Sequence, residues 1–199
     1  MDVVHILGLC APAEADPFGE ALLRALAVPG PTGVRLEVWP APLELPPHSN
    51  VTPNELPPQA RALRRKAADA NALVLAVPEA TSLPPEPLLT ALDWLARPKG
   101  GSPLIGKPVA VLTTTSAGAG TPSSPTETER ILLGTGCEII GPRTITPSAG
   151  KALQDQPGGR VFITDPAAAM RLLLHVRRTS KAARASSQLL SEDDFRPWL

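Results

Sequence analysis

The run Ala72-Leu73-Val74-Leu75-Ala76-Val77 restricts this chain more than any other, because it is continuously apolar with no polar alternation. Alternate side chains of a strand point to opposite faces of a sheet, so a strand of this composition is covered on both. Cover on both faces is the mark of a parallel sheet, whose strands are joined by crossover helices. The segments around it agree. Residues 3–9 are apolar apart from His5 and read as a strand. In 18–27, Phe18, Leu22, Leu23 and Leu26 fall at helical spacing. Residues 34–39 alternate, with Val34, Leu36 and Val38 on one side, which suits a strand near an edge. Further along, 59–71 predicts a polar helix with Leu63 and Ala67 facing in, 88–96 a helix, 109–114 a strand, 125–133 a helix and 137–140 a fifth strand. Residues 142–164 read as irregular, with a short extended piece at 161–163. Asp165-Pro166 supplies an N-cap and first-turn pair for a last helix over 167–178.

Five strands alternating with five helices predict a doubly wound α/β sheet, a three-layer sandwich with right-handed crossovers. One domain is expected over 1–178, followed by a C-terminal extension, 179–199, that is flexible or docks a partner. In such sheets a ligand sits outside the carboxyl ends of the strands. Three loops then surround any site: 10–17, 78–87 and 114–124.

Composition excludes several classes. Lys+Arg and Asp+Glu both number 19, so the chain lacks the basic excess of a nucleic-acid binder. Two cysteines are too few for a disulfide scaffold. No apolar run has the length of a membrane span, and no transport signal is present, so a cytoplasmic protein is expected. Proline is high, 25 of 199 residues against a usual value of roughly 5%, and tyrosine is absent.

Several strings carry a resemblance. Ala91-Leu92-Asp93-Trp94-Leu95 is followed by Arg97-Pro98 and by Gly100-Gly101-Ser102-Pro103-Leu104, then Gly106-Lys107-Pro108-Val109-Ala110. This order resembles the NADPH-dependent FMN reductase family, a flavodoxin-like group. Pro78-Glu79 stands where that family has the start of its P-E-Y-N-G-S-I-P string, and Leu7-Gly8 at the end of its first strand. The resemblance covers about residues 3–145. It implies a flavodoxin-like sheet of order 2-1-3-4-5 and a homodimer, or a heterodimer with a related subunit. It also implies FMN with NAD(P)H as cofactors if the activity is kept, with Gly8, Pro78 and Glu79 at the flavin.

The loops depart from the family pattern. Its phosphate loop reads approximately G-I-S-G-S-L-R-x-x-S-x-N, and a phosphate is held there by backbone N–H groups, hydroxyls and a cation. Here the same positions run Gly8-Leu9-Cys10-Ala11-Pro12-Ala13-Glu14-Ala15-Asp16-Pro17-Phe18-Gly19. No hydroxyl remains, two prolines lack N–H groups, and Glu14 and Asp16 bring negative charge. Hydrogen bonds to charged groups are worth about 1.5–3 kcal/mol each, so losing three or four weakens phosphate binding by roughly 5–10 kcal/mol. After Glu79 the family's tyrosine is replaced by Ala80, and the third loop lacks its glycine-rich, arginine-bearing end. The expectation is therefore a protein that has lost the FMN site and holds no cofactor. It would act as a non-flavin subunit, a partner protein or a repurposed enzyme. The alternative is a working NAD(P)H-dependent FMN or quinone reductase with an altered pocket.

Single residues sharpen this. Glu79, at the end of an apolar strand, is the acid/base candidate, and Cys10, near the next helix, the nucleophile candidate. Glu14, Thr81, Ser82 and the hydroxyls of Thr113, Thr114, Thr115 and Ser116 complete the pocket candidates. His5 reads as a core histidine, His175 as a surface or interface residue, and Cys137 as core. Asp93-Trp94 suits packing or subunit contact. Arg171, Arg177, Arg178, Lys181 and Arg184 read as a solvated helix end. Leu189, Leu190, Phe195, Trp198 and Leu199 are expected to anchor a partner. No metal-ligand spacing occurs.

Overall fold

A computed structural model describes residues 3–11, 18–27, 32–39, 45–47, 56–78, 84–97, 100–114, 127–141, 144–146, 153–156 and 160–191. Its parallel sheet consists of β1 (Val4–Cys10), β2 (Val34–Val38), β3 (Ala72–Pro78), β4 (Pro108–Thr114), β5 (Glu138–Ile139) and β6 (Thr144–Thr146). The strand order is β2-β1-β3-β4-β5, with β6 also on β4. Central registers pair Gly8 with Val74 and Leu75 with Val111. Helices α1 (Gly19–Ala27), α2 (Pro58–Asp69), α3 (Glu86–Ala96), α4 (Glu127–Gly134) and α5 (Pro166–Ser191) cover it. This is the flavodoxin-like arrangement expected.

Side-chain parity along the strands sorts the core into two layers. Leu7, Leu9, Leu73, Leu75, Val77, Val109 and Val111 pack against α2 and α3 through Leu63, Ala67, Leu88 and Leu92, with Leu132 of α4. The alternate residues Ile6, Cys10, Val74, Ala76, Ala110 and Leu112 pack against Leu22, Leu23 and Leu26 of α1 and Leu172, Val176 and Ala183 of α5. Gly8 lies in the second layer. A Cβ there would come within 3.2 Å of Leu23 Cδ1, so the glycine lets α1 approach the sheet closely.

Polar ties hold the α2–α3 layer together. The guanidinium of Arg64 on α2 reaches four carbonyls at and beyond the end of α3. It donates to Trp94 O at 2.7 Å and Gly101 O at 2.7 Å, and to Leu95 O and Arg97 O. The last carbonyls of a helix have no partner within it, so Arg64 caps α3 from the side. Trp94 is 1% exposed and donates Nε1–H to Pro46 O at 2.7 Å. Lys107 in turn donates to Ala68 O and Ala70 O at the end of α2. The Asp93-Trp94 pair thus serves packing, with Asp93 on Arg97 at 2.8 Å.

Three regions differ from the sequence expectation. The fifth strand is split: β5 runs along the first part of β4 and β6 along its last part, on either side of Gly141 at φ 64. Within 142–164, β7 (Leu153–Gln156) and β8 (Arg160–Ile163) form an antiparallel hairpin. Leu153 and Ile163 place that hairpin on the α1–α5 layer. The last helix does not stop at Arg178 but continues to Ser191, and Ala183 on this continuation is buried in the α1–α5 layer. Polar residues there are accommodated by bonding back along the helix: Thr179 Oγ1 to His175 O, Ser180 Oγ to Arg177 O and Ser187 Oγ to Ala183 O, all at 2.9–3.0 Å.

The two histidines exchange their expected roles. His5 is exposed at the amino end of β1, where its backbone N–H donates to Asn71 Oδ1. His175 is 1% exposed, on the inward stripe of α5 with Leu172, Val176 and Thr179. Burial, with the nearby Arg178 charge, lowers its pKa to about 4.

Two predictions follow from this packing. Arg64→Met leaves part-buried carbonyls without a partner and should destabilise by roughly 2–4 kcal/mol. Urea unfolding should show a lower midpoint at unchanged slope, with Arg64→Lys recovering part of the loss. Second, the unfolded chain protonates His175 below about pH 6.5 whereas the folded chain waits until about 4. Stability should therefore fall by roughly 3 kcal/mol as pH drops through that window. His175→Leu should flatten this part of the pH–stability profile.

Candidate functional site

Parallel strands bring their carboxyl ends to one edge. At that rim Cys10 pairs with Ala76, and Pro78 with Thr114. The chain leaves it through 12–17 after β1, 79–83 after β3 and 115–126 after β4. The side chains along the rim are small: Cys10, Ala11, Ala76, Pro78 and Thr113.

The described sequence candidates can be placed against this rim. Gly8 is inside β1 under Leu23, where the lack of a Cβ serves packing. Cys10 is 2% exposed, within the apolar layer beside Leu22 and Leu23, which is the setting of a packing residue and not of an accessible nucleophile. Pro78 closes β3 and is half-buried at the rim. Thr114 closes β4. Glu14, Glu79, Thr81, Ser82, Thr115 and Ser116 lie outside the described residues, as do Phe195, Trp198 and Leu199. Leu189 and Leu190 belong to α5, and their side chains are outside the described set. Cys137 is core as expected; burial raises its thiol pKa and Sγ donates to Leu132 O at 3.2 Å. Neither cysteine is in a disulfide, and no metal-binding cluster occurs among the described residues. No described helix is long and apolar enough to cross a membrane.

Thr113 stands out at the rim. It is 2% exposed, and its Oγ1 has no hydrogen-bond partner among the described residues. A buried hydroxyl without a partner costs about 1–3 kcal/mol, so such a group is usually explained by a ligand or water. By parity it faces the α2–α3 layer, as Val109 and Val111 do.

The comparisons with known proteins bear on this rim. The sequence model of the NADPH-dependent FMN reductases matches residues 4–154. The chain belongs to that family. The match begins at β1 and runs through all six strands of the parallel sheet into β7. Over 106 residues the chain is also 35% identical to a 2-hydroxy-1,4-benzoquinone reductase of a Burkholderia species, spanning 53% of this chain and 57% of that one. The chain thus matches little more than half of that curated relative's length. Among solved structures it resembles FerB of Paracoccus denitrificans, a flavoenzyme NAD(P)H:acceptor oxidoreductase. The TM-score is 0.77 at 19% identity, covering 92% of this chain and 99% of that one. RosB, solved with a bound riboflavin-5'-phosphate derivative, gives 0.62 at 16% identity over 94% of this chain and 81% of its own. At these identities the likeness establishes the fold.

Among the described residues of this rim, Thr113 is the one that bears on a bound group, through its unsatisfied hydroxyl. Thr113→Val should raise the stability of the ligand-free protein by roughly 1 kcal/mol, because it removes that buried polar atom. Thermal or urea unfolding checks this; a loss of stability would mean that the hydroxyl is already satisfied.

Proposed function

We propose that the protein is an NAD(P)H-dependent oxidoreductase that uses FMN to reduce quinones. The observation that carries this reading is the family match over residues 4–154, which spans the whole parallel sheet. The Burkholderia relative, a 2-hydroxy-1,4-benzoquinone reductase, suggests small hydroxylated benzoquinones as acceptors. Bound FMN supplies hydride acceptance from the nicotinamide and electron delivery to the quinone.

The chain's own part is binding and orientation. Thr113 offers a donor and acceptor at the end of β4. Glu79, immediately after β3, supplies the carboxyl for proton transfer to the reduced acceptor. The stretch 8–19 has no hydroxyl or cationic side chain and carries Glu14 and Asp16, so only main-chain N–H groups remain for the phosphate. FMN then gains little from its phosphate, and ring contacts supply most of the affinity.

A second reading rests on those same loop residues: a non-flavin subunit of a flavoenzyme partner. Flavin titration separates the two. On the main reading both FMN and riboflavin quench on binding, FMN being tighter by less than about tenfold, or about 1.4 kcal/mol. The reconstituted protein should oxidise NAD(P)H when a benzoquinone is added. If neither flavin binds and no oxidation occurs, the non-flavin reading stands in its place.

A further inference from the structure

A cavity of about 780 Å³ opens between α5 and the start of β2. Arg177, Arg178, Lys181 and Arg184 line one side of it, and Thr32, Val34, Leu174 and Ser180 are the other described lining residues. It lies at the amino edge of the sheet, since Gly33 O, just before β2, accepts from the N–H of Val4 at the start of β1. The strands between this edge and the carboxyl rim are seven residues long, about 20 Å. The cavity is therefore separate from the flavin rim, and the inference does not depend on the proposed reaction.

Its charge is one-sided. The whole chain is neutral, yet α5 carries five cations and no acid over Pro166–Ser191. No carboxylate lines the cavity among the described residues, and none of its four cations forms an ion pair with one of them. Arg177–Lys181 and Lys181–Arg184 are like-charge neighbours on one helix stripe, an arrangement that destabilises a helix. The macrodipole does not account for them, because its influence is confined to the last turn, and Arg177 and Arg178 lie well before Ser191.

The cavity is also built rather than incidental. Arg184 is half-buried and donates through Nη2 to Gly33 O at 3.4 Å. Gly33 has φ 78, and a Cβ there would come within 3.2 Å of that Nη2. The glycine both makes the turn and admits the guanidinium to the cavity floor. Arginine forks bind phosphate oxygens in pairs, lysine adds a point charge, and Val34 with 43%-exposed Leu174 offers an apolar surface beside them.

We infer that this cavity binds an oligophosphate anion of the nucleoside diphosphate or triphosphate class. The phosphates lie on Arg177, Lys181 and Arg184, and the base against Leu174 and Val34.

Calorimetric titration of the full chain with inorganic tripolyphosphate, with ADP and with ATP tests this. The wild-type protein is expected to bind ATP and ADP with affinity that falls steeply as salt is raised. Arg177→Ser and Lys181→Ser should each weaken binding about tenfold or more while the protein stays folded, as its circular dichroism and cooperative thermal unfolding will show. Arg171→Ser, on the same helix but outside the cavity, should leave binding as it was. ATP binding tighter than tripolyphosphate shows that the apolar wall holds the base; equal affinity shows recognition of the phosphate chain alone and overturns the nucleotide assignment. The site itself is overturned if no probe binds at millimolar concentration, or if Arg171→Ser weakens binding as much as Arg177→Ser. Flavin titration of the Arg177→Ser protein should match the wild type, which keeps this result apart from the reductase reading.

Discussion

Cover on both faces of β3 and β4 is the constraint from which the rest of this molecule follows. Leu73, Leu75, Val109 and Val111 point one way, Val74, Ala76, Ala110 and Leu112 the other, and all are buried. Neither set can meet water, so helices must lie on both sides, and each strand must be reached by a crossover. The crossovers return every strand in the same direction. That direction gathers β1, β3 and β4 at a single rim, and with them the loops at which a ligand can be held. The amino edge, by the same logic, collects helix ends and strand starts, which is how α5 comes to lie beside Gly33.

Apolar cover alone does not set where the helices stop. The ends of α2 and α3 expose carbonyls that the helices cannot satisfy. Arg64 and Lys107 satisfy them across the layer, one from α2 to the end of α3, the other from just before β4 to the end of α2. The residues around Trp94 that carry the family resemblance are thus explained by architecture: a buried indole bonded to Pro46 O, an Asp93–Arg97 pair, and a turn held by Arg64. In this chain those residues join α3 to β4.

What was legible in the sequence follows from the same physics. Strands β1, β3 and β4 and the inward faces of α1 and α2 announce themselves because their burial demands runs or stripes of apolar residues. The β7–β8 hairpin was missed because Leu153-Gln154-Asp155-Gln156 is mostly polar. Its signal in the sequence is the turn-forming string Pro157-Gly158-Gly159, followed after Arg160 by the apolar pair Val161-Phe162. The length of α5 was missed because Thr179-Ser180 reads as a stop, whereas their hydroxyls bond back into the helix. His5 and His175 were misplaced because strand parity and helical stripe, not neighbouring hydrophobicity, decide which side a residue faces. At the candidate site the sequence shows loop chemistry, Glu14 and Asp16 among it. The unsatisfied Thr113 hydroxyl needs three dimensions, because a threonine at a strand end has no pattern of its own. The basic stripe on α5 was visible as charge, but its cavity forms only when Thr32, Gly33 and Val34 arrive from a distant part of the chain.

The division of the fifth strand has a consequence for assembly. An exposed strand edge invites pairing with another chain, and proteins avoid this with short, kinked or charged edges. On one side of this sheet the outer pieces are two and three residues long, offset at Gly141. On the other, β2 turns Arg35 and Glu37 outward. Among the described residues, neither border offers a long, apolar ladder for a neighbour to extend. Contact through the described helical faces, by contrast, would be selected by side-chain fit rather than by backbone pairing.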